Sequence, residues 1–213
     1  MQAAPTRFSA TPSGADDYRT RLLLGVAAAV AEKSYSEATI ADIVRHSQVS
    51  KRTFYEHFTD KEACFLAAYD ELSAMVLGNV VEAVAQVNDV DRAIEASTRA
   101  WFAALQENAP IIGAFFTDVQ AAGPAALKLR REIHQRFADQ IRSVADARVA
   151  AGRQARPMKV ETALALVGAL SELVLLAIER GHAGDLSRYA DTAIELFDAV
   201  YSWDPKPTST TRR

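Results

Sequence analysis

The chain lacks most of what marks a catalyst, a secreted protein or a membrane protein. Its 213 residues include one cysteine, Cys64, which excludes an intramolecular disulfide and fits a reducing compartment. There is no Gly-rich phosphate loop, no HExxH and no GxSxG. The four histidines, His46, His57, His134 and His182, are too scattered to suggest a zinc site. No metal, no cofactor and no catalytic residue is therefore expected. Long apolar runs are missing as well. Residues 22–31 are too short to span a bilayer, and residues 163–178 are interrupted by Ser171 and Glu172. Residues 1–17 are polar and small, without the apolar centre of a signal peptide. The expectation is a cytoplasmic protein with no membrane partner. Positive charge is not in excess either, with 24 Lys and Arg against 27 Asp and Glu and a net charge of −3. Any contact with nucleic acid must then be local to one face, with an acidic body behind it.

What the chain has is helical periodicity and enough apolar residues, 49%, to fill a core. No alternating run or Asn-Gly hairpin signal argues for a strand, so the expected fold is all-α with about nine helices. Residues 1–14, with two prolines and a glycine, read as a flexible arm, and residues 205–213 as a flexible tail. Helix one starts near Ser13 or Asp16 and stops near Ser34. Thr39 with Asp42 opens helix two, Ser50 opens helix three, and Thr59 with Glu62 opens helix four, which runs to about Gln86. Asp89 begins the next, Pro110 starts a short one, and Gly123-Pro124 precedes a long one closed by Gly152. Pro157 starts another that ends at Gly181, and the last spans about 185–203. Three short helices followed by larger ones divide the chain into residues 15–60 and 61–204.

Residues 39–62 read TIADIVRHSQVSKRTFYEHFTDKE. Ile40, Ile43 and Val44 give one short helix an apolar face; Val49, Phe54 and Phe58 do the same for the next. Residues 46–49 between them suit a tight turn. Such a pair leaves the second helix free to enter a major groove. Its outward residues are of the types that DNA contact needs. Arg52 has the fork for a guanine edge, and Lys51 suits a phosphate. Thr39, Ser50, Thr53 and Tyr55 offer hydroxyls to phosphate oxygens, His57 lies where it reaches one, and Lys61 stands in the first turn of helix four. The competing reading of the pattern alone is an amphipathic helical pair with a solvated charged face.

Residues 19–65 resemble the DNA-binding domain of the TetR family, the tetracycline-repressor-like regulators. The resemblance rests on Arg19, Leu22-Leu23, Tyr35, Thr39, Ile43, Val49-Ser50, Thr53, Tyr55, Phe58, Lys61 and Glu62 at the family's spacing. It implies an N-terminal three-helix helix-turn-helix domain followed by a larger helical domain for ligand binding and dimerisation. It also implies a homodimer on double-stranded DNA with a pseudo-palindromic operator, commonly as a repressor. Three positions depart from the family pattern. Ser34 and Gln48 stand where glycine is usual, which implies strain or a different turn at Gln48. Arg52 stands where glycine is common, and is expected to add base readout.

In the larger domain, residues 158–180 are apolar nearly all round. With the last helix they either complete the monomer core or, as the resemblance implies, pair with a second copy. The dimer residues expected on that basis are Leu164, Val167, Gly168, Leu175, Tyr189, Phe197 and Tyr201. Trp101, Phe102, Leu105, Phe115, Phe116 and Phe137 form an aromatic-rich set expected to line a pocket for an unknown small-molecule effector. His134 and Glu172 are its expected polar contacts, although Arg130 or Arg136 could instead neutralise Glu172. A helical interaction or small-molecule-binding module without DNA regulation is the alternative function, with an enzyme behind it.

Overall fold

The computed structural model describes residues 15–153 and 157–202, and among these every regular element is helical. The expected arm, tail and Trp203 terminus lie outside the described residues. The elements are α1 (Ala15–Lys33), α2 (Ile40–Ser47), α3 (Lys51–His57), α4 (Lys61–Ala85), α5 (Val90–Glu107), α6 (Ala109–Thr117), α7 (Pro124–Ala150), α8 (Val160–Glu179) and α9 (Ala190–Ser202). A 3-10 helix, Ala183–Tyr189, precedes α9, so the single helix expected over 185–203 is two pieces, the first with a non-helical Asp185 inside it.

Capping chemistry sets the starts of the short helices. Thr39 and Asp42 form a reciprocal box at α2, and the Ser50 side chain accepts the Thr53 N–H at α3. At α4 the cap is Asp60, whose carboxylate accepts the Ala63 N–H; the expected Thr59–Glu62 box does not form. Helix α8 begins at Val160, three residues beyond the proline expected to start it.

The two corners that replace glycine are left-handed. Ser34 ends α1 at φ 77, and Gln48 ends α2 at φ 53, ψ 40. A side chain in that region costs about 1 kcal/mol or more. At Gln48 the corner is held from outside, because Arg21 Nη2 donates to its carbonyl at 2.7 Å. Tight packing of α1 on α2 centres on Gly25. A Cβ there would lie 2.8 Å from the Ile43 carbonyl oxygen and 2.8 Å from Ser47 Cβ, so the two helices touch backbone to backbone.

One continuous core runs through the molecule. Leu22, Leu23, Val26, Ile43 and Phe54 are wholly buried beneath the short helices, and Phe65, Phe102, Phe115 and Val174 are buried among the long ones. Cys64 stands where the two regions meet, with its Sγ 3.6 Å from the Leu22 carbonyl oxygen, and burial pushes its thiol up to about 12. It is a packing residue with no accessible thiolate. Helices α4 and α8 are long and apolar enough to cross a membrane by length and composition. Here their apolar faces wall an internal cavity.

Candidate DNA interface and ligand cavity

Helix α3 is pinned from below and open above. Phe54 is wholly buried and Phe58 nearly so, their rings 6.1 Å apart, and the Arg19 guanidinium lies 5.7 Å from the Phe58 ring. These anchors fix the rotation of a seven-residue helix too short to be stable alone. They turn Lys51, Arg52, Tyr55 and Glu56 outward. The Arg52 side chain is 90% exposed and makes one ion pair, to Glu56 one turn on at 3.1 Å. An exposed pair of this kind is worth about a few tenths of a kcal/mol, so the fork is readily released to another acceptor. Lys51 has no carboxylate partner among the described residues. Tyr55 is 53% exposed and props its ring edge-on against Phe54. Ser50 and Thr53 share a hydroxyl bond at 2.8 Å, which leaves one of the two protons for an outside acceptor. His57 is half-buried at the end of the helix.

Two expected phosphate contacts are occupied within the chain. The Thr39 hydroxyl donates to Asp42 Oδ2 at 2.7 Å and accepts the Asp42 N–H, so its proton is committed to the cap. Lys33 Nζ donates to Asp42 Oδ1 at 2.6 Å, and with the Thr39 bonds it holds the Asp42 carboxyl far below the usual carboxylate range. Lys61 Nζ donates to the carbonyl oxygens of Tyr35 at 2.6 Å and Ala38 at 2.8 Å, and sits 4.3 Å from the Tyr35 ring centroid. Partial burial there moves the Lys61 ammonium below its ordinary pKa. As placed, it clamps the start of α4 to the corner between α1 and α2.

The cavity lies among the long helices and has a volume of about 100 Å³. A water needs about 10–15 Å³ on the same measure, so several would fit. Helix α4 contributes Tyr69, Leu72, Val76 and Val80, and α5 contributes Ile94, Thr98, Trp101 and Leu105. Helix α7 adds Arg130, Ile133, His134, Phe137, Gln140 and Val144, a stripe at steps of three and four. Ile112, Phe115 and Phe116 of α6 close one side; Val167, Leu170 and Leu175 of α8, with Phe197 and Tyr201 of α9, close another. The lining is mostly apolar, and its hydroxyls are largely spent on backbone carbonyls: Ser73 to Tyr69, Ser171 to Val167, Tyr201 to Ile141. The Thr98 hydroxyl is buried without a hydrogen-bond partner. Burial, reinforced by the nearby Arg130 charge, lowers His134 to about 4, so it is neutral at pH 7. Burial raises Tyr69 to about 12.

A ladder of rings joins this cavity to the short helices. Tyr35 and Phe65 are 4.8 Å apart, Phe65 and Phe115 5.1 Å, and Phe115 stacks on Tyr69 at 5.2 Å with 14° between planes.

Residues 23–68 match the family model described as bacterial regulatory proteins, tetR family. Over this stretch, which spans α1 to the start of α4, the chain is similar to that family. No curated protein matches its sequence. Among solved structures, FadR from Bacillus subtilis in complex with stearoyl-CoA superposes with a TM-score of 0.74 at 14% identity, covering 83% of this chain and 96% of that one. Salmonella enterica GusR gives 0.70 at 20%, covering 87% and 96%. The TetR-family regulator PfmR from Thermus thermophilus gives 0.62 at 20%, covering 92% and 100%. The tetR-type architecture thus extends over the long helices as well.

Within this tetR-type frame the expected site residues separate. Trp101, Leu105, Phe115, Phe116, His134 and Phe137 all line the cavity. Phe102 does not: it is wholly buried one position away from the stripe that Trp101 and Leu105 share. Glu172 does not either. It is exposed on α8, where no Arg130 or Arg136 reaches it, and Arg136 pairs instead with Asp70. Of the seven expected dimer residues, Val167, Leu175, Phe197 and Tyr201 face the cavity. Tyr189 is buried, its hydroxyl 3.0 Å from His182 Nδ1. Leu164 and Gly168 remain on the outer side of α8 with Ala165, Ala169, Glu172 and Leu176. A helix that is apolar nearly all round does not show from its sequence which side faces the cavity. Tyr69, Thr98, Gln140 and Arg130 line the cavity outside the expected set, although the α7 spacing carries the signal for the last two.

Proposed function

We propose that the chain is a sequence-specific DNA-binding transcriptional regulator that acts as a homodimer on a pseudo-palindromic operator. A small, mostly apolar effector occupying the cavity releases it. The observation that carries this reading is the pairing of an anchored, outward-facing α3 with a mostly apolar cavity, joined by the Tyr35–Phe65–Phe115–Tyr69 ladder. Residues 15–60 form the reader, and residues 61–204 the part that binds effector and partner. Lys51 serves a phosphate, Arg52 a base edge, and Tyr55, Ser50, Thr53 and His57 position the helix. The outer stripe of α8, Ala165, Gly168, Ala169, Glu172 and Leu176, faces the second copy; nothing lies within 4 Å of a Cβ built on Gly168, which leaves room for close approach. A stripe of small residues on each copy allows the two α8 helices to cross in near contact.

An effector that favours a poorly spaced pair of reading helices lowers DNA affinity by the same factor that DNA lowers effector affinity. Repression follows when the bound dimer covers a promoter. No catalytic step is assigned to the chain, and its place is the cytoplasm, with the DNA. Selection of genomic fragments by the purified full-length protein tests the reading. A pseudo-palindrome should be enriched, and Arg52→Ala should change the preferred base at one position of each half-site. Absence of any enriched sequence would overturn the assignment.

A further inference from the structure

The cavity is elongated, and its polar groups are not spread evenly. Tyr69 and Val80 lie eleven residues apart on α4, so the cavity runs for roughly 16 Å along that helix. Helix α7 follows it in the same sense, since Arg136 pairs with Asp70 near the Tyr69 end and Arg148 pairs with Asp91 just beyond the far end of α4, while α5 returns in the opposite sense. One end is therefore ringed by Tyr69, Leu105, Phe116, Arg130 and His134, and the other by Val80, Ile94 and Val144. The formal charge of the lining sits at the first end; the second is mainly aliphatic, with the Ser97 and Thr98 hydroxyls one turn on from Ile94 and Tyr201 beside Ile141.

Arg130 is the unusual member. It is half-buried, it lines the cavity, and no carboxylate among the described residues pairs with it. Arg136, Arg142 and Arg148 on the same helix have acidic partners; Arg131 has none among the described residues, but it is exposed and does not line the cavity. His134, one turn on, is held neutral by burial and by the Arg130 charge, so it presents a ring nitrogen for hydrogen bonding and not a second cation. A cation facing an apolar cavity without a counter-ion is a site for an anion brought by a ligand.

We infer that the cavity takes a linear amphiphile whose anionic head pairs with Arg130 beside His134, and whose aliphatic chain runs along α4 toward Val80 and Val144. A zigzag of carbons joined by bonds of about 1.5 Å needs roughly twelve atoms to span that length. This assignment rests on the reading of the cavity as an effector site and adds to it the effector's chemical class. The head is a carboxylate, or the phosphate-bearing carrier of a thioester; both supply the negative charge that Arg130 lacks.

Titration calorimetry on the full-length protein with dodecanoate, dodecan-1-ol and dodecanoyl-coenzyme A tests it. Dodecanoate should bind about tenfold or more tighter than the alcohol, the effect of one charge-assisted pair. Each methylene between decanoate and dodecanoate should tighten binding roughly fourfold. Arg130→Gln should erase the preference for the anion, weakening dodecanoate about tenfold more than dodecan-1-ol, with Arg130→Lys keeping part of the preference. Thermal melts of the variants check that they fold. Arg130-dependent binding of the thioester alone also supports the assignment and places the anion on the carrier. Equal affinity for alcohol and carboxylate, a preference that survives Arg130→Gln, or failure of all three to bind overturns it. The same preparations are tested for retention of the selected DNA. Specific retention without amphiphile binding removes only the ligand class, whereas Arg130-dependent binding without any enriched DNA removes the regulator and leaves the cavity assignment standing.

Discussion

Asp118 Oδ1 accepts the backbone N–H of Tyr35 at 3.1 Å, so the corner between α1 and α2 hangs on the C-terminal end of α6. The same Tyr35 ring begins the aromatic ladder that ends at the cavity wall. The carboxylate of α6 and the clamp from α4 thus grip one corner from two sides. Under the proposed function, a ligand-driven shift of α6 or α4 is expected to reach the reading helices through this residue.

Asp118→Ala should separate the two ends of the molecule. Losing one charge-assisted bond in a half-buried setting is expected to cost about 1 kcal/mol in a urea melt. DNA affinity without effector should change little, while the effector concentration needed for release should rise severalfold. An unchanged release curve would show that this bond is not on the route.

Lys51 and Lys61 are predicted to differ despite equal charge. Lys51 is exposed and has no carboxylate partner among the described residues, so Lys51→Ala should lower the slope of log affinity against log salt by about one. Lys61 spends its ammonium on two carbonyls, so Lys61→Met should leave that slope within error. Its effect should appear in stability instead, as a loss of about 2 kcal/mol. Salt titrations of both variants, with melts alongside, check this.

Gly25→Ala adds one methyl where two helix backbones meet. The carbonyl of Ile43 and the Cβ of Ser47, both 2.8 Å away, cannot rotate aside, so α2 must move. Overpacking of this kind costs about 1–3 kcal/mol. Because α3 rides on α2, specific DNA binding should be lost at a temperature where circular dichroism still reports a helical protein.

His134 makes stability depend on acid. It is neutral in the folded chain down to about 4, whereas its ordinary value is 6.5. Well above pH 6.5 both states are unprotonated and there is no penalty. Between pH 6.5 and 4 the unfolded chain binds the extra proton, so stability falls as pH falls. The loss amounts to roughly 2 kcal/mol after allowance for partial solvent access. His134→Leu should flatten the urea midpoint across this range, and a bound anion beside Arg130 should do the same in part by raising the histidine's pKa.

Much of the DNA end is legible in the sequence. Thr39 with Asp42 and Ser50 with Thr53 are local capping pairs whose spacing marks the starts of α2 and α3, whereas the same spacing at Thr59 and Glu62 misses the Asp60 cap by one residue. Gln48 is singled out by the family resemblance, which puts glycine at that corner, and its φ of 53 is left-handed. Phe54 and Phe58 one turn apart announce the buried side of α3, and with it the exposure of Lys51, Arg52 and Tyr55. The cavity is half legible. Trp101, Leu105, Phe115, Phe116, His134 and Phe137 are found by residue type and period, whereas Phe102 and Glu172 are misplaced by the same signals.

The sequence by itself determined the course of most helices and which face of α3 carries cations. Those properties depend on neighbours within a turn or two, where spacing dictates geometry. The tertiary structure decided which partner each long side chain takes. Sequence position offers Lys61 to a phosphate, but two carbonyls 23 and 26 residues away claim its protons. Residue type offers Val167, Phe197 and Tyr201 to a dimer face, but the packing of α8 and α9 on α4, α5 and α7 turns them to the cavity. Hydrophobicity reports that a face is buried but not what buries it; that depends on how distant helices cross, and no local period encodes it.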